Sequence, residues 1–237
     1  MKIDIWSDIR CPFCYIGKRR LEAALSSFPQ KDKVEITWHS FELDPAMKTD
    51  TGTDVYTYLA ERKGQSRDWS VQMHEHVTQT AKDAGLDYRF DKAIMANSFN
   101  AHRLIQLAKT QGLGDAAEEA LFRAYFTEGK NIDDKDTLVA IGTGIGLEES
   151  KIKEMLSSDA YTKEVRADEA IAHEIGINGV PFFVLNNKYG VSGAQPSEVF
   201  LSALQQAWAD YEQSNLQMVA DKASGDACDA EGNCSLS

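Results

Sequence analysis

The sequence predicts an α/β fold: a small sheet interrupted by an all-helical insertion. Three observations lead there. About forty N-terminal residues read strand, helix, strand; a long stretch of helical period follows; and a hairpin and a helix close the pattern. The chain has 237 residues, 43% of them apolar, so it can bury a sizeable core, and its 16 Gly and 5 Pro are too few for general disorder.

Ile3 and Ile5 share one face of MKIDIWS, with Lys2, Asp4 and Trp6 on the other, as in a short strand. Ile16, Arg20, Leu21, Ala24, Leu25 and Phe28 then recur at helical spacing until Pro29. KVEITWHSF alternates again, with Val34, Ile36 and Trp38 inward. Such a βαβ unit implies a parallel strand pair with a right-handed crossover. From Thr53 the period becomes helical, in stretches 55–63, 69–84, 98–111, 116–127, 135–141 and 148–157, divided by breaks such as Gly85 and Gly112-Leu-Gly114. A helix over 161–174 stops at Gly176. PFFVLNNKYGVSG reads as two short strands joined at Asn186-Asn187. Pro196 opens a last helix, 197 to about 211.

Without the insertion the order is β-α-β then α-β-β-α, the element order of a thioredoxin fold. The expected organisation is a discontinuous thioredoxin-fold domain over 1–50 and 158–215, an inserted helical domain over 51–157, and a flexible tail over 216–237 carrying a second cysteine pair.

With 25 basic and 37 acidic residues the formal charge is -12, which disfavours nucleic acid and anionic membranes as partners. No run approaches the ~18 apolar residues of a membrane-spanning helix. Residues 1–10 carry Asp4 and Asp8 where a signal peptide needs an apolar core, so a cytoplasmic location is expected. Four cysteines in a reducing compartment are unexpected as structural staples. They fall as two pairs, Cys11 with Cys14 and Cys228 with Cys234.

CPFC at a helix start points to redox chemistry. Unpaired N–H groups and the helix dipole favour a thiolate at the first cysteine, while the second, one turn in, stays protonated until it resolves a mixed disulfide. Cys11 is therefore expected as the exposed nucleophile and Cys14 as the resolving thiol. Pro12 suits the first helical turn, and Phe13 is a candidate substrate contact. Arg10, Lys18, Arg19 and Arg20 add positive charge, the last three along the helix. A structural zinc site needs four ligands; Cys228-x5-Cys234 and His74-Glu-His76 lack the spacing, so no metal is expected. Taken alone, Val180-Pro181 reads as an ordinary trans proline at a strand start.

DIRCPFCYIG, FELDP, NSFNAHRL, LFRAYFTEGKNI and INGVPFFVLNNKYGVSGAQP together resemble the FrnE-like branch of the DsbA-type thiol–disulfide oxidoreductases, over residues 1 to about 215. That group is similar to 2-hydroxychromene-2-carboxylate isomerases and kappa-class glutathione transferases. The resemblance implies a catalytic pair at Cys11 and Cys14 and a cis-proline at Pro181. It also implies that the Val180 backbone docks an extended disulfide-containing protein substrate, or glutathione, in β-strand fashion. No resident cofactor is implied; glutathione is the candidate co-substrate, and a homodimer is the candidate assembly. The dipeptide departs from the strongly oxidising relatives, which carry His between the cysteines. Pro12-Phe13 is closer to glutaredoxin-like sites, with potentials of about -200 to -230 mV.

The expected activity is thus a cytoplasmic protein dithiol–disulfide oxidoreductase or isomerase. The alternatives are a glutathione-dependent isomerase or transferase acting on a small molecule, and a non-catalytic redox sensor. Trp6, Phe182 and Phe183 are groove candidates, although aromatic residues beside strands are more often core. His39 is given no role. Asn97, Asn100, His102 and Arg103 line the cleft in glutathione-using relatives, though capping and packing explain Asn97 and Ser98 as well. Cys228 and Cys234 are expected to form an accessory redox pair, their nucleophilicity lowered by Asp226, Asp229 and Glu231.

Overall fold

A computed structural model describes residues 1–214, together with 227–228 and 234–235. Strand β1 (Lys2–Ser7) pairs parallel with β2 (Glu35–Ser40), and helix α1 (Pro12–Ser26) makes the crossover. Strands β3 (Phe182–Leu185) and β4 (Tyr189–Ser192) add antiparallel on the other side of β1, for an order β2-β1-β3-β4. Asn186 and Asn187 both take positive φ, 52° and 54°, as the tight two-residue turn requires. The chain has a thioredoxin fold with a helical insert between β2 and β3.

One face of the sheet carries Ile3, Ile5, Phe183 and Leu185, all fully buried. It packs on α1 and on α9 (Ser197–Ser214), where the Phe183 and Phe200 rings meet edge-on at 4.7 Å. Gly17 allows the closeness: a Cβ there would lie 3.1 Å from the Phe183 ring and 3.2 Å from Pro181. The other face is covered as well. Asp4 and Trp6 are buried, because α8 (Thr162–Glu174) lies over β2 and brings Ala172 and then Ile177 against Trp6.

The insert comprises α2 (Val55–Lys63), α3 (Arg67–Asp83), α4 (Phe99–Lys109), α5 (Gly114–Phe122), α6 (Lys135–Gly144) and α7 (Glu149–Ser157). Its side chains join those of the sheet and α1 in one continuous apolar cluster. The stretch 116–127, expected as a single helix, divides at Phe122 and continues as a π turn, Arg123–Thr127. Beyond α9 the segments Ala227–Cys228 (β5) and Cys234–Ser235 (β6) form a two-residue antiparallel ladder with Cys228 opposite Cys234. The rest of the expected tail lies outside the described residues.

Candidate active site

Cys11 stands at the N-cap of α1 with extended backbone, and no side-chain bond caps the helix. Asp8 shapes the corner leading into it. Its carbonyl accepts from Cys11 N at 2.9 Å, and its carboxylate accepts from Arg10 N at 3.1 Å and Leu43 N at 2.8 Å. This is an Asx-type turn that holds the first cysteine at the end of β1. Tyr88, from the insert, donates its hydroxyl to the Pro12 carbonyl at 2.6 Å. Burial pushes the Tyr88 hydroxyl up, so it remains a donor throughout the physiological range.

The Val180–Pro181 peptide is cis, and the Cys11 thiol donates to the Val180 carbonyl with Sγ 3.4 Å from the oxygen. Among the described residues the Val180 N–H finds no acceptor. Val180 thus offers a donor beside the sulfur, the requirement for adding one extended strand. Burial, then the neighbouring Cys11 sulfur, pushes the Cys14 thiol well up, which keeps it protonated.

One expectation needs correcting. Cys11 is not exposed: it is 4% accessible, against 1% for Cys14. The Val180–Pro181 loop lies across its sulfur and Tyr88 holds the adjoining carbonyl, so the two thiols differ in surroundings rather than in depth. Phe13, at 41%, is the exposed member of the motif, and Pro12 is half-buried. Lys18 and Arg19 turn away along α1 to Glu22, Asp115 and Glu119, and Arg20 bonds the Ala194 carbonyl; only Arg10 stays with the motif.

Trp6 and Phe183 are core residues, and Phe182 is half-buried on the α8 side. His39, without an expected role, stacks on Trp6 and sits between Asp168 at 2.6 Å and Asp4 at 2.7 Å. Asn97 caps α4 by accepting from Phe99 N at 2.8 Å, whereas Ser98 makes no side-chain cap bond. Arg103 fastens the α7–α8 turn through the carbonyls of Met155, Ser158 and Ala160. His102 is fully buried 3.6 Å from Asp8, an ion-pair distance longer than a hydrogen bond. Against the effect of burial, His102 holds the Asp8 carboxyl below its usual range. Burial pushes nearby Glu118 up to about 8. Among the described residues no three His, Cys, Asp or Glu side chains are grouped to hold a metal, and no helix is long and apolar enough to cross a membrane.

Asp8 and Tyr88 are the site residues that sequence reasoning missed. Asp8, three residues before Cys11 at a strand-to-helix corner, carried a readable turn signal. Tyr88 carried none, because its contact with Pro12 spans 76 residues of chain.

A cysteine at a helix N-cap position, a second thiol one turn in and the Val180 carbonyl of a cis Val–Pro peptide over the first come together on a thioredoxin fold. Residues 2–205 match the DSBA-like thioredoxin domain model, and the chain belongs to that family. A Streptomyces coelicolor protein described as a probable DsbA oxidoreductase is 39% identical, with 100% of this chain and 99% of that one covered and a TM-score of 0.84. The cytosolic disulfide reductase DsbM of Pseudomonas aeruginosa is 18% identical (90% and 98% covered, TM-score 0.61). A 2-hydroxychromene-2-carboxylate isomerase is 19% identical (92% and 100% covered, TM-score 0.64). These last two are likenesses of fold.

Proposed function

We propose that the protein is a cytoplasmic, FrnE-type dithiol–disulfide oxidoreductase acting on disulfide-containing polypeptides. The observation that carries this reading is the Cys11 sulfur 3.4 Å from the Val180 carbonyl, at a helix N-terminus. The Cys11 thiolate attacks one sulfur of the substrate disulfide; that bond breaks, and the departing sulfur takes up a proton. Cys14 then loses its proton and attacks Cys11 Sγ, releasing the second substrate thiol. The substrate disulfide is reduced to two thiols as the CPFC dithiol is oxidised; run in reverse, the same steps oxidise a substrate. The Val180 backbone docks the substrate strand beside Pro181, with Pro12 and the exposed Phe13 on the rim. Glutathione is the candidate donor that returns the CPFC pair to the dithiol.

Reduction of a disulfide-bonded protein such as insulin, with wild type and Cys11→Ser compared, tests this directly. Wild-type turnover in the variant would remove the mechanism. Cys228 and Cys234 are assigned here as an accessory pair. Directly opposed residues in an antiparallel ladder have Cα atoms about 4.5–5.5 Å apart, within the span of a disulfide. The CPFC reduction potential, measured with and without residues 221–237, should differ if that pair exchanges with the site.

A further inference from the structure

Beside the motif lies a cavity of about 300 Å³ between the β2–α2 connection, α2 and the π turn. Its walls are aromatic and apolar: Tyr58, Phe90, Met95, Tyr125 and Phe126 line it, with Pro12 at the edge nearest the cysteines. The π turn matters here. Its extra residue per turn brings the consecutive side chains Tyr125 and Phe126 to the same wall, and such turns gather at functional sites.

The charges in this cavity run against those of the molecule. The protein carries a formal -12, yet Arg10, Arg62 and Lys63 line the cavity against a single carboxylate, Asp44. Arg62 is paired with that carboxylate. Among the described residues the Arg10 side chain is bonded to no carboxylate: its guanidinium lies over the Tyr58 ring at 5.6 Å, and Nη2 is 3.4 Å from the Tyr58 hydroxyl. Nε and Nη1 are buried with no acceptor in good hydrogen-bond geometry, and the Tyr125 hydroxyl interacts with the guanidinium. Asp8 and the Tyr125 hydroxyl are the other polar groups acting on it, and both Asp8 carboxylate oxygens already serve backbone N–H groups. A guanidinium left short of acceptors in an apolar wall is a receptor for a planar anion.

We propose that this cavity is a specificity pocket for an acidic side chain of the substrate polypeptide, close in sequence to the cysteine that Cys11 attacks. The carboxylate meets Arg10, with Lys63 and Arg62 at the mouth, and the apolar stem lies against Tyr58 and Phe126. This deepens the oxidoreductase reading and rests on it. Attraction by the protein as a whole cannot produce the preference, since the net charge repels anions and salt screens it beyond about 8 Å.

The test is single-turnover reduction of synthetic disulfide peptides by the pre-reduced protein, with release of peptide thiol followed as the CPFC pair becomes a disulfide. Peptide pairs carry Glu or Gln one or two residues to either side of the reactive cysteine. In one register the Glu peptide should react about tenfold faster than its Gln twin, as one charge-assisted hydrogen bond allows. Arg10→Gln should bring that ratio close to one, and Arg10→Lys should restore part of it. Arg62→Gln, at the exposed mouth of the cavity, should lower it. Bis(2-hydroxyethyl) disulfide separates the two levels of the argument. If the wild type reduces neither it nor any peptide, the oxidoreductase reading fails. If it is reduced while Glu and Gln peptides react equally in every register, the pocket assignment is overturned and that reading stands. A preference for 3,3′-dithiodipropionate without any peptide preference also overturns the polypeptide occupant, in favour of a small carboxylate-bearing disulfide.

Discussion

Two kinds of helix start in this molecule are built from opposite materials. Helix α6 begins on Asp134, whose carboxylate accepts from Thr137 N at 2.8 Å; α2 begins on Asp54, which accepts from Tyr56 N and Thr57 N, both at 2.9 Å. Helix α1 begins on Cys11, whose side chain caps nothing and turns to the Val180 carbonyl instead. An oxygen cap contributes roughly 1 kcal/mol to a helix. At α1 that stabilisation is forgone, and the positive end of the helix is left to act on a sulfur. The contrast teaches where this fold forgoes a local cap and leaves a helix end facing a sulfur.

Four perturbations break or sharpen the contrast. The largest is Cys11→Ser, which should reduce disulfide exchange to the uncatalysed background. Serine is a better helix cap than cysteine, so the same variant should keep its melting temperature or gain slightly; a calorimetric scan beside the activity assay reads both. Next, Cys14→Ser should abolish turnover while leaving the first attack intact, so a mixed disulfide with a substrate peptide should accumulate and be visible by intact mass.

The third concerns acids in opposite surroundings. Asp134 is exposed, and its bond from Thr137 holds it below the usual range, whereas burial raises Glu118 to about 8. An acid raised on folding contributes its stability below the unfolded value, near pH 4.5, and loses it as pH climbs towards about 8. Stability should therefore decline across that window. Glu118→Gln should flatten the decline and raise the melting temperature at pH 8 by at least about 2 °C. An unchanged slope would mean that Glu118 ionises freely in the folded protein. The smallest effect belongs to Asp134→Ala. It should cost about 1 kcal/mol in urea unfolding, from the lost cap, with disulfide exchange untouched.

Much of the fold was legible because its signals are local. The helix at 55–63 has the predicted bounds, with Asp54 before it and Gly64 after it, and Asn186-Asn187 marked the hairpin turn. The cysteine pair and the Val180-Pro181 segment were legible in the same way, through spacing and a resemblance spread over several blocks. What escaped depends on distant chain. Nothing near Trp6 and Asp4 in the sequence announces that α8 covers their face. The π turn is hidden within an uninterrupted helical period, and Cys11 is enclosed by a loop that arrives 169 residues later. The cationic cavity likewise unites residues 10, 62 and 63 with an aromatic wall at 125 and 126, so no single window of sequence displays it.

The close approach at Gly17 has a bearing on engineering. Replacing a helical glycine by alanine is a standard route to a sturdier protein, since glycine in a helix interior costs about 1 kcal/mol relative to alanine. Position 17 closes that route. The added methyl would press on the Phe183 ring on one side and on Pro181 on the other, and Pro181 follows the residue whose carbonyl faces the reactive sulfur. A library screened only for heat resistance would find little gain there, and one screened for activity would find loss. The glycine inside α1 thus sets how near that helix can come to Pro181 and to the strand that follows it.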